Sequence, residues 1–124
     1  MNIEDYFGEP IYSYTRKQAI ADGVLADLSG NEVVRGHWRH PLACTSAVWG
    51  VITTAIRDEG NDLNGILHDI SVLATLRIRE RARKDENEVR FTVKIGKATC
   101  ELKLHLGPGD DHEPVLTLMF TDED

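Results

Sequence analysis

The clearest pattern in the chain is an alternation of apolar and polar residues that begins near its final third. Every second residue over 89–95 is apolar, and the alternation resumes after Gly96 and Lys97. This period predicts two β-strands with one buried face, and a two-residue turn that begins with glycine predicts a primed hairpin. The predicted register sets Arg90 opposite Lys103 on the solvent side. On the apolar side it pairs Ile95 with Ala98, Val93 with Cys100, Phe91 with Leu102 and Val89 with Leu104.

Two longer segments carry apolar residues at helical spacing. The first begins at Thr45 or Ser46, runs to Glu59 and ends before Gly60, with apolar residues three or four positions apart on one face. The second covers about residues 62–84 and is apolar on more than one side, so we expect it to lie between the sheet and the first helix. The short connection predicts that the two helices are antiparallel neighbours.

The first third of the chain carries weaker signals. Residues 1–10 predict an irregular arm. In residues 11–29, Thr15 is placed to cap a short helix that Gly23 ends, and alternating apolar residues then predict a short strand. Residues 30–41 are polar and contain glycine, which predicts a loop or an edge element, where binding residues are common.

These segments together predict one α+β domain over residues 1–124, an antiparallel β-meander of three to four strands packed on one face by two main helices. A short helix, a short strand and a loop occupy residues 11–44, and a helical hairpin occupies residues 45–84. The meander covers residues 88–120, where residues 115–120 form its third strand, and an acidic tail covers residues 121–124. The early strand could join the meander as a fourth member.

The charge balance limits the classes of partner. The chain of 124 residues has 14 basic and 21 acidic side chains and a net charge of −7, which disfavours general attraction to nucleic acid. No apolar run approaches the roughly 20 residues of a membrane helix, and the first residues are acidic, so we expect a cytoplasmic protein without membrane contact. In that compartment Cys44 and Cys100 are expected to remain reduced.

One loop concentrates groups that can bind a metal. Residues 107–114 contain Asp110, Asp111, His112 and Glu113, and His105 precedes them on the outward face of its strand. Carboxylate and imidazole groups could hold a divalent cation whose bound water attacks a substrate. The spacing matches no metal-binding motif, however, and Asp and Gly also serve the backbone of a solvated turn, which we favour. No metal or other cofactor is therefore expected.

Cys44 offers a second, weaker chemical hypothesis. It lies just before a predicted helix N-terminus, where the helix dipole lowers a thiol pKa, and His40 is four residues upstream. No side chain is identifiable as an acid that would orient the histidine, and a cysteine is more often a small buried apolar residue. We therefore assign no catalytic residue.

Residues 35–40 form a basic and aromatic cluster of the kind that contacts single-stranded nucleic acid. Its members are Arg35, His37, Trp38, Arg39 and His40. The alternative, which we favour, is that Trp38 covers the end of the first long helix while the arginines are solvated or paired with acids.

Acidic residues gather at three places in the sequence: Asp85, Glu86 and Glu88; the loop at 107–114; and Asp122, Glu123 and Asp124. If these groups share one face, the protein would imitate the charge of a nucleic acid and could occupy a basic groove of a defence or DNA-processing protein. The alternative is a solvated acidic surface that aids solubility.

Three segments carry a resemblance to a known family. They are IYSYTRKQAIADGVLADLS at 11–29, HPLACTSAVW at 40–49 and LHLGPGDDHEPVLTLMFTDED at 104–124. The chain resembles a family of small proteins of unknown function that are encoded on bacterial plasmids and phages. The resemblance implies an accessory protein of a mobile element and supplies no catalytic residues.

We therefore expect a non-enzymatic accessory protein of a phage or plasmid that binds a host or phage macromolecule, with inhibition through an acidic surface as one form of this function. The alternatives are a weak nucleic-acid binder through residues 35–40 and a small metal-dependent hydrolase whose ligands would be His105, Asp110, Asp111 and His112. We expect a protein partner, and a monomer or a small homo-oligomer. The candidate interaction surface comprises Tyr12, Tyr14, Arg16, His37, Trp38, Arg39, Asp110, Asp111, His112 and Glu113.

Overall fold

The computed structural model describes residues 14–81 and 86–123. The predicted arm at 1–10 and the candidate residue Tyr12 lie outside these ranges. In chain order the described elements are α1 (Arg16–Ala21), β1 (Leu25–Asp27), α2 (Glu32–His37), β2 (Leu42–Thr45), α3 (Ser46–Glu59), α4 (Leu63–Glu80), β3 (Glu88–Ile95), β4 (Ala98–Pro108) and β5 (Pro114–Phe120).

The strands form one five-stranded sheet in the order β1-β2-β5-β4-β3. Strands β3, β4 and β5 form the predicted antiparallel meander, and β1 pairs antiparallel with β2. The β2–β5 pair is parallel and joins the two halves of the chain, with Leu42 opposite Leu116 and Cys44 opposite Leu118. The α+β class is confirmed. The sheet has one strand more than the meander of three to four strands that the sequence predicts.

The hairpin register is confirmed at each predicted pair, from Ile95 with Ala98 to Val89 with Leu104. Gly96 has a φ of +60°, as a primed turn with glycine first requires. Arg90 faces Lys103 on the same side of the sheet, as predicted, but only Arg90 is exposed there. Lys103 is buried, and its Nζ donates a hydrogen bond to the backbone carbonyl of Glu123, because the segment after β5 folds back over it.

Helix α3 has the predicted boundaries. Thr45 Oγ1 accepts a hydrogen bond from the amide of Val48 at the start, and Gly60 ends the helix with a φ of +71°. Its buried face is formed by Val48, Ile52 and Ala55, which the helical spacing predicted.

The predicted position of α4 between the sheet and α3 is wrong. Helix α3 contacts β1, β2, β3 and β5 directly, while α4 contacts β3 and α2. The helices therefore share the layer that packs on the sheet. Helix α2 also packs on α4, on the side of Asn64 and Ser71, which the sequence pattern did not reveal because that region was predicted as a loop.

Helix α2 lies within the predicted loop at 30–41 and is fixed to α4 at both of its ends. Asn31 caps α2 by accepting from the amides of Val33 and Val34, and its Nδ2 donates to Asn64 Oδ1 of α4 at 2.8 Å. At the other end, Trp38 Nε1 donates to Ser71 Oγ of α4 at 3.0 Å. Trp38 thus packs on α4 and not on the end of the first long helix.

The acidic segment that follows β5 is part of the folded structure as far as residue 123. One side-chain oxygen of Glu123, Oε2, accepts from Thr45 Oγ1 at 2.9 Å and from the amide of Phe120 at 2.8 Å. The end of β2 is thereby tied to the end of β5. No described helix is both long and apolar enough to cross a membrane.

Candidate functional site

An apolar pocket of about 220 Å³ opens at the end of the sheet where β3 begins and β4 ends. Six apolar residues from four different elements and the residue after α2 form its walls. They are Trp38, Ile78, Val89, Leu104, Leu106 and Leu116. Because Leu106 is 38 % exposed, the apolar interior continues to the surface here.

Hydrogen bonds hold several of the residues that line the pocket in place. The Leu106 amide donates to the Asn87 carbonyl at 2.7 Å, and the Leu116 amide donates to the Pro41 carbonyl at 2.8 Å. The indole of Trp38 is held by its bond to Ser71. A ligand would therefore enter a site whose walls are already ordered, which lowers the entropic cost of binding.

The rim of the pocket carries both signs of charge. Arg81 follows α4, His40 precedes β2, Glu86 precedes β3, and Glu88 is the first residue of β3. Glu88 also accepts a hydrogen bond of 3.0 Å from Arg90 Nε. An apolar floor with a mixed polar rim is the usual composition of a small recognition site.

The predicted basic cluster is divided between the interior and the surface. Trp38 is half-buried as a pocket wall, whereas Arg35, His37 and Arg39 are exposed. The ring of His37 lies 5.6 Å from that of Trp38 and 6.4 Å from that of His68 on α4. The indole of Trp38 is therefore packed and hydrogen-bonded within the protein, and Trp38 does not offer an exposed ring on which a nucleic-acid base could stack.

The acidic hairpin loop is brought against α1. Asp110 accepts hydrogen bonds from the amides of Arg16 and Lys17 at 2.7 and 3.1 Å, so its carboxylate satisfies the first turn of α1. Glu113 Oε1 accepts from the amide of Asp111 at 3.2 Å. His112 has a φ of +66° and completes the turn. These loop side chains serve mainly backbone geometry, as the favoured interpretation of this loop predicted.

Arg16 and the loop line an open cleft of about 510 Å³. The Arg16 guanidinium donates to the Leu116 carbonyl at 2.7 Å and to Thr117 Oγ1 at 2.9 Å. Burial lowers the pKa of Arg16, and the carboxylates of Asp27 and Asp110 act in the opposite direction. The Arg16 guanidinium therefore already has hydrogen-bond partners within the protein.

Tyr14 lies apart from both cavities. Its hydroxyl donates to Asp22 Oδ2 at 2.7 Å, a bond that raises the pKa of Tyr14, and its side chain is exposed. The contact spans the short helix α1, so Tyr14 stabilises local structure.

The structure gives the hydrolase hypothesis no supporting geometry. Among residues 14–81 and 86–123, no group of three or more His, Cys, Asp and Glu side chains is placed to hold a metal ion. His105 pairs with Glu88 and Thr117 in the sheet, and the Asp110 carboxylate is occupied by two backbone amides.

Cys44 is fully buried in β2, and burial raises the pKa of its thiol to about 12, with a smaller contribution from the charge of Glu123. Cys100 is also buried, and burial raises its pKa. This is the reverse of an activated nucleophile.

The described acidic groups are divided between the two ends of the sheet. Asp110 and Asp111 follow β4 near Pro108, whereas Asp122 and Glu123 follow the pairing of Phe120 with Leu102. Six residues of β4 separate Leu102 from Pro108, which corresponds to about 20 Å. The two acidic groups therefore do not merge into one compact patch.

Sequence reasoning missed most of the pocket. It identified Trp38 and His40 but not the walls from α4, β3, β4 and β5, since residues from so many elements converge only in the folded chain. Leu106 gave the one available signal, an apolar residue at the very end of an alternating strand and beside a polar loop.

No protein-family model, curated protein or solved structure matches this chain. The function is therefore inferred from the geometry of the pocket and from the sequence.

Proposed function

We propose that this protein is a non-enzymatic accessory protein of a mobile element that binds a protein partner by enclosing one large apolar side chain in the Trp38 pocket. The pocket carries the proposal because it is an ordered apolar cavity that reaches the surface and is lined by Leu106 and Trp38. The resemblance to plasmid- and phage-encoded proteins supplies the mobile-element context.

The size of the pocket favours a side chain over a cofactor. Its volume of about 220 Å³ is below the range of roughly 300–1,000 Å³ typical of small-molecule and cofactor sites. A single aromatic or branched aliphatic residue is the common anchor at protein interfaces, where it fills a pocket and supplies much of the binding energy. The polar rim of His40, Arg81, Glu86 and Glu88 would then contact polar residues that flank the anchor.

The test uses displayed peptides of random sequence selected against the immobilised protein, followed by titration of individual synthetic peptides. We expect the selected peptides to share one Trp, Phe or Leu, and we expect replacement of that residue by Ala to weaken binding by at least about tenfold.

Two lysine variants locate the site on the protein. Leu106→Lys places a charge at the mouth of the pocket, while Val24→Lys changes an apolar residue of similar exposure, 48 % against 38 %, that does not line the pocket. Binding should be lost in L106K and retained in V24K. Equal binding by both variants, or selected peptides without an apolar anchor, would refute the proposal.

A further inference from the structure

Strand β3 forms one edge of the sheet within the described residues. Ile95 and Ala98 flank the two-residue turn of the hairpin, so they form a hydrogen-bonded pair and the pairing alternates from there. Glu88, Arg90, Thr92 and Lys94 consequently direct their backbone N–H and C=O groups away from β4. An unpaired row of this kind can accept another strand.

An apolar flank of α4 lies beside this edge. Shallow clefts between α4 and β3 place Val72 and Leu73 near Lys94, Arg77 near Thr92, and Glu80 near Glu88. Helix α4 therefore runs antiparallel to β3 at close range. Leu76 belongs to this flank and is 46 % exposed, although it is a large apolar residue at the middle of the edge.

We propose that β3 pairs antiparallel with β3 of a second copy of this chain, on a two-fold axis at Phe91, and that Leu76 of the two copies meet beside this axis. In this register Glu88 faces the partner's Lys94 and Arg90 faces the partner's Thr92. The opposite-charge pair of Glu88 and Lys94 occurs twice because of the symmetry.

The charges on the edge select this register over its neighbours. An axis at Arg90 would bring the two Arg90 side chains together, and an axis at Thr92 would set Arg90 against the partner's Lys94. Like charges directly opposite each other destabilise a strand pair. The axis at Phe91 avoids both clashes and pairs Glu88 through Lys94, seven of the eight residues of β3.

The position of Leu76 is an independent reason for the same register. Arg77, the next residue of α4, lines a cleft with Arg90, Phe91 and Thr92, so Leu76 is level with the proposed axis. An exposed leucine on a two-fold axis meets its own copy, and the contact would bury both side chains. Charge and apolar exposure thus point to the same centre.

The test is a charge-reversal cycle measured by sedimentation velocity between about 1 μM and about 1 mM protein. The unmodified protein should show a mass that rises from monomer to dimer. Glu88→Lys and Lys94→Glu should each weaken dimerisation by about tenfold or more, because each creates two like-charge pairs. The double variant E88K/K94E should restore it.

Mixing the two single variants gives the sharpest result. The E88K protein carries two lysines at the paired positions and the K94E protein carries two glutamates, so an equimolar mixture should dimerise more tightly than either variant does alone. Asp111→Lys and Lys97→Glu make charge changes of the same size at exposed positions outside β3 and outside the clefts beside it, and they should leave the association unchanged.

Leu76→Ser supplies a test that does not depend on charge. It should weaken the dimer while leaving the thermal unfolding midpoint of the monomer unchanged, since the side chain is exposed in a single copy. An unmodified protein that remains monomeric throughout the concentration range would overturn the proposal. A dimer that is indifferent to E88K, K94E and L76S would do so as well.

Discussion

The backbone amide of Arg16 donates a hydrogen bond of 2.7 Å to Oδ1 of Asp110, which lies 94 residues further along the chain. The second oxygen of the same carboxylate accepts from the amide of Lys17. One side chain of the β4–β5 loop therefore completes the first turn of α1, and it fixes the N-terminal helix to the C-terminal hairpin.

Removal of the Asp110 carboxylate should destabilise this junction. Asp110→Ala leaves two amides at the start of α1 without their side-chain acceptor, and we expect the free energy of unfolding to fall by about 1 kcal/mol. Urea denaturation followed by circular dichroism measures the change. Asp111→Ala is the matched control, since it removes a neighbouring exposed carboxylate and should change stability by less than about 0.5 kcal/mol.

Ser71 should be required for the order of the Trp38 pocket. In Ser71→Ala the indole N–H loses its acceptor, and we expect a loss of about 1–2 kcal/mol in stability. Because the chain contains two tryptophans, the emission of Trp38 is best followed in a Trp49→Phe background. A change in its emission maximum should accompany the substitution, and an unaltered spectrum and stability would show that the bond at 3.0 Å contributes little.

Gly96 should tolerate substitution far less well than Gly23. Both have positive φ, at +60° and +79°, so alanine costs about 1 kcal/mol of backbone strain at either position. At Gly96 an added Cβ would also lie 2.9 Å from the Ala55 Cβ and would displace Glu59 from its bond with the Lys97 amide. We expect Gly96→Ala to cost about 3 kcal/mol in total.

The comparison of the two glycines separates strain from steric conflict. Nothing lies within 4 Å of a Cβ built at Gly23. Thermal unfolding of Gly23→Ala and Gly96→Ala measured side by side should therefore show the larger loss at Gly96. Equal losses would mean that the hairpin turn moves away from α3 without cost.

Cys44 should be inert in the folded protein and should affect stability at high pH. Its pKa in the folded state is about 12 against an ordinary value of 9.0. The folded state therefore retains the thiol proton where the unfolded state loses it. This contribution to stability is complete below about pH 9 and declines by about 1.4 kcal/mol per pH unit as the pH rises toward 12.

Urea denaturation at several pH values measures this effect. Cys44→Ala removes one titrating group and leaves the other groups in place. The stability of this variant should therefore decline less steeply above pH 9 than that of the unmodified protein. Alkylation at pH 8 followed by mass spectrometry should label Cys44 only after denaturation. Parallel pH profiles, or rapid labelling of the folded protein, would contradict the burial of this thiol.

The sequence predicted local structure where a single face of an element is buried. The β3–β4 register followed from alternation combined with the turn at Gly96 and Lys97, and α3 followed from helical spacing between Thr45 and Gly60. Both depend on neighbouring residues, and both are confirmed.

The same reasoning failed where burial depends on distant parts of the chain. Strand β2 has three buried residues in succession, Leu42, Ala43 and Cys44, because it is covered on both faces, and it therefore shows no alternation. Helix α2 is short, contains Gly36 and is held by contacts with α4. The Trp38 pocket could not be predicted, since its walls converge only after β2 and β5 have paired.

The position of β5 in the sheet also sets an order of events during synthesis. This strand is made after the eight other described elements, yet it lies between β2 and β4 and separates the first half of the chain from the hairpin. Until β5 is made, β2 and β4 each have an unpaired edge where β5 will later lie. During that interval the nascent chain exposes Leu42 and Leu104, whose later strand partners are Leu116 and Leu118, so a chaperone that binds apolar strands has its best opportunity before β5 emerges.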